Sequence, residues 1–160
     1  YDFAALIPLQ AAENLHQLHQ IKTVLIGGAP ITEALRRKIS ETHPNCVETY
    51  GMTETLTHVA TRPVTYPTPP FTAMPDVGIS LDSDRCLTLN VPYISKEPIQ
   101  TNDIVEQVDE NSFRLLGRRD FVINSGGKKI FPEQLEEKLR PHLNIPFFIT
   151  GIPDAQLGEN

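Results

Sequence analysis

The chain has 160 residues, 39% of them hydrophobic and 21% charged, a globular composition with length for one core or parts of two. Fourteen Lys and Arg against 20 Asp and Glu leave a net charge of -6 with no basic cluster, which argues against nucleic acid or an anionic membrane surface as a partner. The apolar stretches fall far short of the roughly 20 residues needed to span a bilayer, and no charged-then-apolar signal opens the chain. A cytoplasmic protein is expected, although Tyr1 is not a start methionine and an upstream targeting segment could have been removed.

From about Leu6 to Gln20, Leu6, Leu9, Ala12, Leu15 and Leu18 recur at mostly three-residue steps, which predicts an amphipathic helix. Ile21 to Ile26 predicts a short strand, broken by Gly27-Gly28-Ala29-Pro30. Thr32 then opens a second helix through Leu35 and Ile39 that stops near Pro44. Cys46 to Tyr50 and Leu56 to Thr61 predict two strands flanking Gly51-Met52-Thr53-Glu54, so the first third has α/β character with a parallel sheet. Cys46 and Cys86 lie far apart, with no CxxC and no histidine at ligand spacing, so a zinc site or disulfide framework is not expected.

Pro63, Pro67, Pro69, Pro70 and Pro75 fall within thirteen residues, which predicts an extended connector over about 62–75. Beyond it, Cys86 to Asn90, Ile104 to Val108 and Phe113 to Leu116 read as strands of a small antiparallel unit over about 76–117, with a turn at Asp109-Glu110-Asn111-Ser112. Phe121-Val122-Ile123 and Gly126-Gly127 suggest a further hairpin. Pro132 sits at the first position of a helix over Glu133 to Leu139, and Phe147 to Thr150 predicts a last strand.

Three segments in order carry the chemistry: Tyr50-Gly51-Met52-Thr53-Glu54-Thr55, then Thr101-Asn102-Asp103, then Gly117-Arg118-Arg119-Asp120 running through Gly126-Gly127-Lys128-Lys129-Ile130 to Pro132. Each alone is what an ordinary turn contains. In this order and spacing they resemble the adenylate-forming superfamily of acyl-CoA ligases, peptide-synthetase adenylation domains and luciferases. That resemblance implies an α/β fold: the C-terminal part of a large adenylation domain over 1–119, then from 120 the hinge and start of a small α+β C-terminal domain.

Activation of a carboxylate by ATP requires the acid to attack the α-phosphorus while pyrophosphate leaves, so the protein must orient both reactants and neutralise charge on the phosphates. The resemblance implies that Tyr50 stacks on adenine beside Gly51, that Thr53 contacts the α-phosphate and that Glu54 holds Mg²⁺, a role suited to a hard oxygen ligand. Gly28, Ala29 and Pro30 would flank adenine and the acyl group, where small residues let ligand lie against main chain. Asp103 would accept the ribose hydroxyls, with Asn102 where the family usually has glycine; asparagine tolerates a left-handed backbone best after glycine. Arg118 would reach the ribose, and Asp120 would be the hinge about which the small domain swings, with Phe121 where a second acidic residue often stands.

Gly126 and Gly127 would form the turn that admits the pantetheine arm of CoA, and Thr57 and His58 would line the acyl pocket. Within the family, Thr53 to Ala60 and Val122 to Gly127 look most like the enzymes acting on an aromatic keto acid with a succinyl side chain. ATP, Mg²⁺, CoA and a small carboxylic acid are the implied ligands; homo-oligomerisation stays open. Other CoA ligases, carrier-protein-loading adenylation domains and a non-catalytic adenylate-binding module stay open as alternatives. The family's phosphate loop and C-terminal lysine do not occur in these residues, so the chain is expected to be a fragment, inactive alone.

Overall fold

The structure is a computed structural model that describes every residue except Asn144. Its first strands are β1 (Phe3–Leu6), β2 (Thr23–Ile26) and β3 (Cys46–Gly51), joined by the helices α1 (Pro8–Glu13) and α2 (Glu33–Thr42). These three strands are parallel, Leu6 pairing with Ile26 and Ile26 with Glu48. β4 (His58–Pro63), β5 (Phe71–Ala73), β6 (Gly78–Leu81), β7 (Cys86–Asn90), β8 (Ile99–Asp109) and β9 (Ser112–Arg118) complete a sheet in the order β1-β2-β3-β4-β5-β9-β8-β7-β6. A second sheet, order β11-β10-β13-β12, is made by β10 (Ile123–Ser125), β11 (Lys128–Ile130), β12 (Pro153–Asp154) and β13 (Gly158–Glu159), with α3 (Pro132–Leu139) between β11 and β12.

The chain divides into two compact units. One comprises Tyr1–Ile79, Leu89–Ile99 and Gln107–Arg114; the other comprises Ser80–Thr88, Gln100–Glu106 and Leu115–Asn160. In the first, Ala11, Leu18, Val24, Ile26, Ile31, Ile39, Cys46 and Val64 form a buried cluster between the parallel strands and their helices. Burial pushes the Cys46 thiol up to about 11, so it packs as an inert hydrophobe. Thr32 caps α2 as its position predicts, its hydroxyl accepting from Leu35 N–H at 3.3 Å.

The structure corrects four sequence expectations. Leu6 belongs to β1 rather than to a long helix, because Pro8 takes the first helical position and the residues before it pair with β2. The helix itself is two pieces, α1 and a 3-10 segment over Leu15–Gln20. The proline-rich connector contains β5 in the proline-free interval between Pro70 and Pro75, and Phe71 pairs there with Phe113. Phe147 to Thr150 forms no strand: the Ile149 N–H that a ladder would use donates to Glu136 Oε1 at 2.8 Å. Among the described residues no helix is long and apolar enough to cross a membrane.

Candidate functional site

In the first unit, the parallel strands β2 and β3 end at Gly27-Gly28 and Gly51-Met52, at the carboxyl edge where open α/β sheets place their ligand crevices. Between them lies an open cleft of about 260 Å³ lined by Gly28, Thr49, Gly51, Met52, Thr57 and His58. Gly28 has φ +82°, a conformation glycine adopts freely, and a side chain at Gly27 would run into the Thr49 hydroxyl. At Gly51 a Cβ would stand 2.5 Å from Thr57 O and 2.8 Å from His58 Cα, so β3 and β4 touch through bare backbone. The ladder shifts register at that point, and Gly51 faces His58.

Thr53–Thr55 form one 3-10 turn on which Thr53 and Glu54 are exposed, leaving a hydroxyl and a carboxylate open to ligand. Ala29 and Pro30 are exposed beside Gly28, and the Thr57 hydroxyl lies 3.3 Å from His58 Nδ1. Tyr50 is only 8% exposed: its ring stands edge-on to Phe113 at 5.3 Å and tilted against Phe71 at 5.8 Å. The aromatic cluster buries this ring, and Tyr50 is not among the residues that line the cleft.

Three residues to which the sequence reading assigned no role support this loop. Thr49 and Met52 line the cleft. Thr55 is fully buried; its hydroxyl accepts from Met52 N–H at 3.0 Å and has the Thr57 and Met52 carbonyls at 2.8 and 3.0 Å for its own proton. Leu56, next in the chain, has φ 56° and is 83% exposed, a strained backbone for a branched residue and a mark of constraint near a site. Thr55→Val keeps the shape but strands the Met52 N–H. We expect it to lower unfolding free energy by about 1–3 kcal/mol in urea denaturation; an unchanged midpoint would mean the clamp is not needed.

In the second unit, Arg118 Nη2 donates to Asp120 Oδ2 at 2.7 Å, and Nη1 lies 3.9 Å from Asp103 Oδ1. Asp103 lies within β8 rather than in the turn expected from the sequence, and its N–H donates to Thr101 Oγ1 at 3.0 Å. Nearby, hydrogen bonds led by Cys86 N–H hold the Asp82 carboxyl below its usual range. Gly126 and Gly127 occupy the two-residue turn of the β10–β11 hairpin with φ 54° and 79°. A Cβ at Gly127 would meet nothing, so the demand for glycine there is conformational rather than steric. A larger cleft of about 480 Å³ in this unit includes Asp120, Phe121, Glu133 and Phe148.

Glycine turns at the ends of parallel strands, opening on a small cleft with exposed oxygen donors, define a small-molecule-binding α/β protein. The AMP-binding enzyme family matches residues 3–92, and the chain belongs to that family of adenylate-forming ligases, which join acyl or aryl acids to CoA or a carrier protein. It is 31% identical over 136 residues to a 3,4-dihydroxybenzoate–[aryl-carrier protein] ligase of Bacillus anthracis, covering 79% of this chain and 30% of that one. A 2-succinylbenzoate–CoA ligase of Listeria monocytogenes is 24% identical over 179 residues, covering 92% and 37%. A solved acyl-CoA synthetase (AMP-forming)/AMP-acid ligase II-like protein from Dyadobacter fermentans superposes with TM-score 0.70 at 36% identity, covering 99% of this chain and 49% of that one. The chain thus spans 30% and 37% of the two curated relatives' lengths.

Proposed function

We propose that this chain is part of a cytoplasmic ATP-dependent acid–CoA ligase, and that its acid is o-succinylbenzoate, activated for menaquinone biosynthesis. The observation that carries the proposal is the cleft at the ends of β2 and β3, which brings Gly28, Gly51, Thr57 and His58 together beside the exposed Thr53 and Glu54. In this proposal Tyr50 and the Gly28-Ala29-Pro30 turn receive adenine, and the Thr53 hydroxyl donates to the α-phosphate. Glu54 holds Mg²⁺, which would neutralise charge on the phosphates as pyrophosphate leaves. Thr57 and His58 line the acyl end. Asp103 and Arg118 engage the ribose, Asp120 is the hinge between a large domain ending at 119 and a small one, and the Gly126-Gly127 turn admits the pantetheine arm.

The donor set suits these roles, because carboxylate and hydroxyl oxygens are the ligands Mg²⁺ and phosphate prefer, and a side chain at Gly27 or Gly51 would collide with its neighbours. The Listeria relative's name supports the succinylbenzoate choice. The higher identity to the B. anthracis ligase favours a second reading, an aryl acid loaded onto a carrier protein.

Acid-dependent pyrophosphate release by the complete encoded polypeptide, with an acid panel and with CoA or carrier protein as acceptor, separates the two. Glu54→Gln should lower the rate by roughly 10²-fold or more at fixed Mg²⁺, the scale seen when one electrostatic stabiliser is removed. Unchanged turnover would remove Glu54 from the metal role. The 160 residues alone should bind ATP weakly and not turn over, since they span 30% and 37% of the curated relatives. Thioester formation by them would refute that.

A further inference from the structure

Asn102 stands between two groups of opposite charge. Its Oδ1 accepts from Arg119 Nη2 at 2.5 Å, and its Nδ2 donates to Asp120 Oδ2 at 3.3 Å. Chemistry dictates this orientation, because a guanidinium has only donors and an ionised carboxylate only acceptors. Glycine at this position could do neither, and aspartate could serve only the guanidinium.

The two partners belong to the short 3-10 segment Arg119–Phe121 that follows β9. Arg119 Nη1 also lies 3.6 Å from Asp84 and 3.9 Å from Asp82. Asp120 Oδ2 accepts from Arg118 Nη2 as well, so one carboxylate oxygen gathers Asn102 and Arg118. From the other side, Glu133 Oε1 accepts from Arg118 N–H at 3.2 Å and Gln134 donates to Leu116 O at 3.0 Å.

We propose that Asn102 and Arg119 are positioning residues that clamp the Arg118–Asp120 junction, keeping Arg118 beside Asp103. The functional consequence rests on the assignment of Asp103 and Arg118 to the ribose: the clamp presets the ribose-binding pair, and residues after Asp120 can turn about it only when Asn102 releases both partners. The clamp joins β8 to the junction through side chains alone, so it can open without disturbing a strand.

Trypsin reads this directly, because the bond after Arg118 lies inside the clamp and the bond after Lys129, in the β10–β11 hairpin, serves as internal standard. Asn102→Gly should raise the ratio of cleavage after Arg118 to cleavage after Lys129 about fivefold, the scale of two half-exposed side-chain hydrogen bonds lost. Asn102→Asp keeps the acceptor for Arg119 and should give a smaller rise. The unaltered chain in about 1 M NaCl should shift the same way, since the ion pairs around Arg119 are screened. A ratio within twofold of the starting value in all three cases overturns the proposal, as does a uniform rise at both bonds with a lowered melting temperature. AMP titration of the complete encoded polypeptide keeps the nucleotide assignment separate: its failure to bind AMP sinks that assignment, while the cleavage ratio still decides the clamp.

Discussion

Glu48→Ala is expected to lower the unfolding free energy by about 3–5 kcal/mol, the cost of leaving a buried ion-pair partner uncompensated. Glu48 lies on β3 with 3% exposure and meets two guanidiniums, Arg36 from α2 and Arg62 from β4, the latter at 2.6 Å. Arg36 is 2% exposed, and its Nη1 has no hydrogen-bond partner among the described residues, so this group already sits short of acceptors. Burial pulls the Arg62 guanidinium below its ordinary value, against the opposing pull of Glu48. Arg62 cannot simply swing out to water, because it also stacks over Phe71 at 4.0 Å and donates to Pro69 O at 3.3 Å.

Without Glu48 two cations remain in the interior with no carboxylate between them. Against a typical domain stability of about 5–15 kcal/mol, that loss brings the fold close to its limit. Glu48→Gln retains the shape and one acceptor oxygen and should cost less. Guanidinium chloride denaturation monitored by circular dichroism is the measurement; a loss under about 1 kcal/mol for Glu48→Ala would show that water already neutralises the cluster.

Phe113→Ala is expected to cost about 3–5 kcal/mol as well, here by opening a cavity. Phe113 on β9 is fully buried and packs against Phe71 at 5.7 Å and Tyr50 at 5.3 Å. Those contacts hold the Tyr50 ring at the end of β3, so the substitution should also blur the near-ultraviolet dichroism of a chain with four tyrosines and no tryptophan. Phe113→Leu fills most of the space and should cost about 1–1.5 kcal/mol. Equal losses for the two variants would mean that the site collapses around either side chain, and an unchanged tyrosine spectrum would free Tyr50 from dependence on this cluster.

Local chemistry made several elements legible. Gly27-Gly28 after an apolar run, Thr32 at a helix start, the Gly126-Gly127 turn and Pro132 at the head of α3 act within three or four residues of themselves, so their consequences could be read from neighbours alone. The order of the Tyr50, Asp103 and Arg118 segments likewise pointed to the family that matches residues 3–92. The Thr55 hydroxyl clamp was not legible, because a Thr-Glu-Thr triplet says nothing about which carbonyls its last hydroxyl will face.

Sequence by itself determined the alternation of strand, glycine turn and helix in the first third, since short-range steric and capping rules decide it. Only tertiary structure decided that Phe71 would find a strand partner inside a proline-rich stretch, that Arg36 would be buried on Glu48, and that Asn102 would bridge Arg119 and Asp120. Each joins residues at least twelve positions apart in the chain. Such partners are chosen by the packing of whole elements, and no local pattern encodes them.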